Sequence, residues 1–224
     1  MDINILKQTI IQCRKCPRLV EYRESVARKK KKAYQDWVYW GKPVPAFGDI
    51  NGRALVVGLA PGPHGSNRTG RMFTGDASGV FLFRALYQAG FANQPQSTNR
   101  DDGLALSDML VSAVCRCVPP DNKPSREEVA NCLPYLVQEI ELMANLQGFV
   151  ALGRIGFENV LGIYRAKGVS IQRQDFKHGA IYRLGKGFPW MVASYHPSQQ
   201  NTQTGRLTVE MFDQIWQTAK SLLK

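Results

Sequence analysis

Short apolar runs that alternate with helical patterns constrain the fold of this chain more than any other feature. "ALVVGL" (54–59), "DMLVSAV" (108–114), "FVALG" (149–153) and "WMVASY" (190–195) have the length and composition of buried strands. "AIYRL" (180–184) is a further strand, and segments with helical spacing lie between most of these runs. The alternation predicts the α/β class, with a parallel sheet covered by helices on both faces.

Start signals mark several of the helices. Two helices open the chain, from about Ile3 and from Pro17, because proline suits the first helical turn. Ser125 and Glu128 form a capping box ahead of a longer helix. Further helices are predicted from about 78 to 90, from about 155 to 164 and at the end of the chain. No boundary or repeat divides the sequence, so we expect one domain over residues 1–224.

The charge balance points to a polyanionic partner. Lysine and arginine number 29 against 18 acidic residues, for a net charge of +11. Nucleic acid is the simplest such partner, although a basic surface can also serve solubility alone. The run "RKKKK" (28–32) is by itself typical of a solvated helix face, and we assign it no binding role.

Membrane and export signals are not evident in the sequence. No apolar run approaches the roughly 20 residues of a spanning helix, and "MDINILKQTIIQC" lacks the apolar core of a signal peptide. We therefore expect a cytoplasmic protein with no membrane partner.

Five cysteines indicate a metal site rather than a disulfide framework. Cys13 and Cys16 form a C-x2-C pair, and a second pair must come from Cys115, Cys117 and Cys132. Cys115 ends a buried strand, where cysteine acts as a small apolar residue, whereas Cys117 lies in a loop that is free to turn toward a metal. Four thiolates suit either zinc or a [4Fe–4S] cluster.

A glycine-rich loop, "GLAPGPHGSNRTGRMFTGDASG" (58–79), follows the first long strand. It lacks the G-K-[ST] ending of a P-loop and the G-x-G-x-x-G spacing of a dinucleotide site, so a phosphate-binding nucleotide enzyme is the weakest interpretation. The loops after Leu59, Val114 and Tyr195 all follow strands. We expect them to meet at the carboxyl edge of the sheet, where α/β proteins place their sites.

Four motifs together resemble the uracil-DNA glycosylases, and in particular the type B, or family 5, iron–sulfur branch. They are "GLAPG", "NRTGRMFTGD", "RCVPPDNKP" with a further cysteine after 14 intervening residues, and "SYHPSQQNTQTGRLT". The resemblance implies a three-layer α/β/α domain with a central four-stranded parallel sheet. It also implies a monomer that acts on DNA, excising uracil and other deaminated bases such as hypoxanthine. A [4Fe–4S] cluster of structural role, preferred to zinc, would be bound by Cys13, Cys16, Cys117 and Cys132.

The same resemblance assigns roles in the base pocket. His196 would donate a hydrogen bond to the base oxygen as the glycosidic bond breaks, and Phe73 would stack on the flipped base. Asn122 would read the base or shape the pocket wall, unless it only stabilises its loop. The glycine loop would place backbone groups near the edge of the base, from Gly58, Leu59, Ala60 and Gly62. His64 in the same loop is a second candidate for a contact with the base.

DNA contacts follow from the remaining motif positions. Gln199, Gln200 and Asn201 suit a wedge that enters the minor groove behind the flipped nucleotide, and Arg206 would contact phosphate. Arg68 and Arg71 in the glycine loop are expected to meet the DNA backbone.

One position departs from other glycosylase families, which place a water-holding side chain in the G-x-x-P loop. Here Ala60 precedes Pro61, and this apolar residue is itself a type B trait. Asp76 is therefore the best candidate to hold water or to stabilise positive charge on the sugar. The alternative is that Asp76 only caps the following helix.

A non-enzymatic DNA-binding module with a structural metal is the main rival hypothesis. The charge and the cysteines suit it equally well, but it leaves His196 and the glycine loop without a purpose.

Overall fold

The computed structural model describes residues 2–223, and six strands within that range form one sheet. The strands are β1 (Phe47–Gly48), β2 (Ala54–Gly58), β3 (Met109–Ala113), β4 (Gly148–Leu152), β5 (Ile181–Arg183) and β6 (Trp190–Ser194).

The helices connect and cover these strands. They are α1 (Ile3–Ile11), α2 (Pro17–Lys29), α3 (Ser66–Thr69), α4 (Ala77–Ala89), α5 (Arg126–Leu142), α6 (Arg154–Ala166), α7 (Gln199–Gln203) and α8 (Val209–Leu222). Short 3-10 turns span Lys32–Tyr34 and Pro120–Asn122. Between residues 2 and 223, no helix has both the length and the apolar character needed to cross a membrane.

The sheet has the strand order β1-β3-β2-β4-β6-β5. The inner four strands are parallel, which confirms the predicted central sheet. The edge strands β1 and β5 pair antiparallel to it. The sequence predicted β5 as a strand, but it did not predict β1, because two residues are too short to show a period.

Apolar side chains pack against both faces of the sheet, which confirms the three-layer arrangement. One core contains Phe83 of α4 and Trp216 of α8. The other contains Leu6 of α1, Leu136 of α5 and Phe157 of α6. Because both faces are covered, the inner strands are fully buried along their length.

Local sequence signals predicted the long helices well and the short helices poorly. The Ser125–Glu128 capping box is present with both of its hydrogen bonds, and α2 begins at Pro17. Helices α3 and α7, of four and five residues, lie in segments that the sequence indicated as loops.

Two glycines of α6 give a matched test of this packing. A Cβ at Gly156 would lie 2.6 Å from the Val57 backbone oxygen of β2, whereas a Cβ at Gly162 would meet nothing within 4 Å. We expect Gly156→Ala to lower the free energy of unfolding by about 1–3 kcal/mol through overpacking. Gly162→Ala should raise it by about 0.5–1 kcal/mol, because alanine favours the helix. Urea denaturation measures both, and equal effects would contradict the close approach of α6 to β2.

Candidate active site

Three loops enclose a cavity of about 540 Å³ at the carboxyl edge of the parallel strands. They follow β2, β3 and β6, as the alternation of strands and helices predicts. The predicted site residues that line the cavity are Leu59, Ala60, Gly62, Phe73, Asp76, Asn122, His196, Gln199 and Gln200.

Some lining residues were not singled out from the sequence. They are Pro63, Ser66, Met72, Ala77, Ser78 and Ser198. Ala77 and Ser78 form the first turn of α4, so the helix start at Asp76 was a signal that could have found them. Ser66 and Met72 carry no local signal, because only the folded path of the loop turns them inward.

Asp76 both caps a helix and faces the cavity. Its Oδ1 accepts a hydrogen bond from the Gly79 N–H at 3.0 Å, at the start of α4. Its Oδ2 lies against Gly62 and Gly65, where a Cβ on either residue would clash with the carboxylate. Burial raises the pKa of this carboxyl, against the opposing effect of the backbone hydrogen bond from Gly79. One oxygen thus caps α4, and the other lies against the glycine loop.

His196 stacks on Phe73 in the cavity wall. Their ring centroids lie 5.7 Å apart, with an interplanar angle of 28°. Burial lowers the pKa of His196 to about 4, so the imidazole is neutral at pH 7. Asn201 donates its Nδ2–H to the His196 backbone oxygen at 2.8 Å, which fixes the turn that presents the ring. Asn201 does not line the cavity, in contrast to the neighbouring glutamines.

Backbone geometry at the cavity is unusual. Phe73 (φ 52°), Asp121 (φ 52°) and Asn122 (φ 57°) adopt left-handed conformations without being glycine. Such residues are costly and concentrate at functional sites. Gly58 lies beneath the Phe73 ring, where a Cβ would come within 2.9 Å of Cζ. Gly58 therefore makes room for the ring and does not itself line the cavity.

His64, predicted as a second base contact, points elsewhere. Its Nδ1 lies 3.1 Å from the Tyr39 hydroxyl, and the residue is outside the cavity lining. Burial lowers its pKa, with Lys31 and Arg68 adding to the effect. The prediction that His64 meets the base finds no support in this placement.

The predicted DNA contacts of Arg68 and Arg71 are wrong, because both side chains are only 3% exposed. The Arg68 guanidinium lies between Tyr34 and Trp37, 3.9 and 4.0 Å from the ring centres. Arg71 forms a bidentate ion pair with Asp102, at 2.8 and 2.7 Å. Both guanidinium groups are bound within the protein, so neither is available to contact DNA phosphate.

The remaining predicted DNA contacts are on the surface. Gln199 and Gln200 begin α7 and are exposed at the mouth of the cavity. Arg206 is also exposed, and its guanidinium lies 4.6 Å from the centre of the Tyr195 ring. Their positions beside the cavity are compatible with a DNA contact, which stays a prediction.

Cys13, Cys16, Cys117 and Cys132 line a second, apolar cavity. It lies between the start of α2, the loop after β3 and helix α5. No three His, Cys, Asp or Glu side chains in residues 2–223 converge closely enough for a single metal ion. Cys115 is fully buried beside this cavity and does not line it.

Hydrogen-bond donors are directed at the sulfur atoms of this cavity. Arg23 Nη1 donates to Cys117 Sγ at 2.9 Å, and the Arg116 backbone N–H donates to Cys132 Sγ at 3.1 Å. Asn131 Nδ2 lies 3.8 Å from Cys16 Sγ. Such donors stabilise thiolates, the form in which cysteine binds metal. The donor set therefore fits a thiolate-ligated group.

Histidine titration tests the geometry of the main cavity. The chain contains three histidines, so their imidazole NMR signals are easily separated. We expect His196 to titrate near pH 4, because its environment disfavours the charged ring. The His196→Gln variant assigns the signal by its loss. A midpoint above pH 6 would show that the ring is solvated rather than held in the cavity wall.

Comparison with known proteins gives a consistent result. Residues 45–220 match the Uracil DNA glycosylase superfamily. A type-5 uracil-DNA glycosylase of Thermus thermophilus is 48% identical over 99% of both chains. One of Pyrobaculum aerophilum is 45% identical over 94% of this chain and 88% of its own. A type-4 uracil-DNA glycosylase from the same organism is 33% identical over 69% of this chain. The chain belongs to the uracil-DNA glycosylase superfamily and is most similar there to type-5 enzymes.

Proposed function

We propose that this protein is a DNA glycosylase that hydrolyses the N-glycosidic bond of uracil in DNA and leaves an abasic site. The observation that carries the proposal is the meeting of Phe73, Asp76 and His196 in one cavity, from loops on separate strands. This gives a stacking ring, a carboxylate and a hydrogen-bond donor within one base-sized space. The type-5 relatives support the same reaction.

His196 acts on the leaving base. As the bond between C1′ and N1 breaks, its electron pair moves onto the base, and negative charge develops on the ring oxygens. A neutral imidazole N–H aimed at that oxygen stabilises the charge in the transition state more than in the ground state. Since the pKa of His196 is about 4, its protonation state is constant across neutral pH.

Asp76 acts on the sugar side of the bond. Asp76 lines the cavity with a carboxylate, whereas Ala60 contributes no polar side chain there. The carboxylate accepts a proton from the attacking water, or stabilises the positive charge that forms on the sugar. Because burial raises its pKa, the ionised form is lost at a higher pH than for a solvated aspartate. The rate should therefore fall as the pH drops through this pKa.

The shape of the cavity supports a broader choice of bases. Leu59, Met72 and Phe73 give it an apolar wall, and the Asn122 side chain can both donate and accept hydrogen bonds. A volume of about 540 Å³ leaves room for a purine as well as a pyrimidine. We therefore include deaminated purines such as hypoxanthine among the substrates.

Cys13, Cys16, Cys117 and Cys132 would hold a [4Fe–4S] cluster. Four cysteine side chains around one apolar cavity suit a thiolate-ligated group, and the resemblance to the iron–sulfur branch favours the cluster over zinc. The bound group would tie α1 and α2 to α5, across more than 100 residues of chain, and thus contribute to folding. It takes no part in the steps above.

Excision from defined duplexes tests the proposed function. The protein is incubated with DNA containing a single uracil or hypoxanthine, and the abasic product is cleaved with alkali. We expect strand breaks at the modified position and none in an unmodified duplex. Binding without breaks at uracil would favour the non-enzymatic module, and breaks at uracil alone would limit the substrate range to that base.

Substitutions of Asp76 separate its two roles. Asparagine caps helices as well as aspartate does, so Asp76→Asn should keep the thermal midpoint close to that of the wild type. The single-turnover excision rate should fall tenfold or more, because the charge is lost. Asp76→Ala should lose about 1 kcal/mol of stability as well. A wild-type rate in Asp76→Asn would leave this residue as a cap only.

Iron content tests the cysteine assignment. We expect Cys117→Ser to lose iron, measured as iron per purified chain, because this side chain lines the cysteine cavity. Cys115→Ser is the matched control two residues away and should retain iron. The reverse pattern would overturn the assignment, and zinc in place of iron would overturn the proposed cluster.

A further inference from the structure

A second open groove lies next to the base pocket. It has a volume of about 540 Å³ and runs between α2 and the segment at residues 39–42. Nothing in the mechanism above uses it. The basic and aromatic side chains that line it are Arg14, Arg23, Arg28, Tyr39, Trp40 and Lys42.

The groove is strongly cationic. Four of its lining residues are basic and one, Glu24, is acidic. Glu24 is held by Arg14, whose Nη1 lies 2.6 Å from its carboxylate. Arg28 and Lys42 are exposed, and neither forms an ion pair within the described residues. Arg28 and Lys42 thus face solvent across one channel, and Glu24, which also feels the charge of Arg28, is the one carboxylate among the lining residues.

The floor of the groove contains a buried cation. Arg23 is 2% exposed, and its Nε has no hydrogen-bond partner among the described residues. Its Nη1 is used by the Cys13 oxygen and by Cys117 Sγ. Its Nη2 lies 3.9 Å from the Glu24 carboxylate, which Arg14 also contacts, so these three side chains together keep one net positive charge at the channel. The groove therefore favours an anionic occupant.

Helix α3 forms the wall between this groove and the base pocket. Trp40 and Gly41 donate their backbone N–H groups to the oxygens of Arg68 and Asn67, at 2.9 and 3.0 Å. Ser66, at the start of the same helix, lines the base pocket. The two cavities are thus about one helix width apart, ~10 Å. In B-form DNA that distance corresponds to about three nucleotide steps of ~3.4 Å.

We propose that the groove binds the sugar–phosphate backbone of the substrate DNA, about three nucleotides from the flipped base. The proposal rests on the proposed function, since a base flipped into the main cavity brings the flanking strand to the surface beside that cavity. The lysine run then extends the same surface. Helix α2 ends at Lys29, and the next exposed residues along the chain are Lys31 and Lys32. Regularly spaced phosphates match such a row of separate cations better than a small anion does.

Salt dependence of binding tests the groove without any need for excision. In the double variant Arg28→Gln/Lys42→Gln, two phosphate contacts are removed. The slope of log affinity against log salt concentration should become less negative by about 1.8. Affinity for an undamaged duplex should fall at least tenfold near ~0.1 M salt. Fluorescence anisotropy of a labelled duplex measures both quantities.

The matched control is Arg183→Gln/Lys186→Gln. Both residues are exposed, at the end of β5 or just after it, and neither forms an ion pair among the described residues, so the control also removes two unpaired charges. A slope change in the groove variant that is no larger than in the control would overturn the proposal. Competition by inorganic pyrophosphate with an unchanged slope would also overturn it, in favour of a small-anion site. If the wild-type protein excised no uracil, the proposed function would be wrong. The salt-dependence slopes would still test whether the groove binds DNA.

Position along the DNA gives a second, independent test. One phosphate at a time is replaced by an uncharged methylphosphonate, on either side of a non-cleavable uracil nucleotide. Wild-type affinity should drop most at about three steps from the uracil. The groove variant should not show this drop, because its partner charges are already absent. A drop of equal size in the two proteins would place the contact elsewhere.

Discussion

The buried ion pair between Arg71 and Asp102 holds the active-site loop in place. Its two hydrogen bonds, at 2.8 and 2.7 Å, join the glycine loop to a connection about 30 residues later. Burial opposes the ionisation of Asp102, but Arg71 and the backbone N–H groups of Leu104, Thr98 and Asn99 keep its pKa well below the usual range. Breaking such a pair costs about 3–5 kcal/mol. Since Met72 and Phe73 follow Arg71 directly, the pair sets where the pocket wall stands.

The regular part of the fold was predictable because its signals are local. Apolar runs gave the strands, and a capping box or proline gave the starts of α5 and α2. The meeting of loops at one edge followed from parallel pairing alone. The short elements β1, α3 and α7 were missed, because so few residues leave no periodicity to read.

The central members of the site were predictable, but its full lining and several residue roles were not. Asp76 and His196 follow strands in the sequence, so their shared cavity could be inferred. The error at Arg68 and Arg71 has a physical cause. Arginine in a glycine-rich loop is usually solvated, and their burial depends on Tyr34, Trp37 and Asp102, which lie far away in sequence. The cationic groove was missed for the same reason, because α2 and Lys42 meet only in the fold.

The left-handed residues around the pocket limit how far the protein can be stabilised. Phe73 and Asn122 would be relieved of backbone strain by glycine. That change would also remove the ring that stacks on His196 and the amide that faces the cavity. An engineer seeking a heat-resistant variant therefore gains nothing at these positions without giving up the site. Thermal improvement that keeps these two side chains has to come from other parts of the fold, and the backbone strain remains for as long as both side chains are kept.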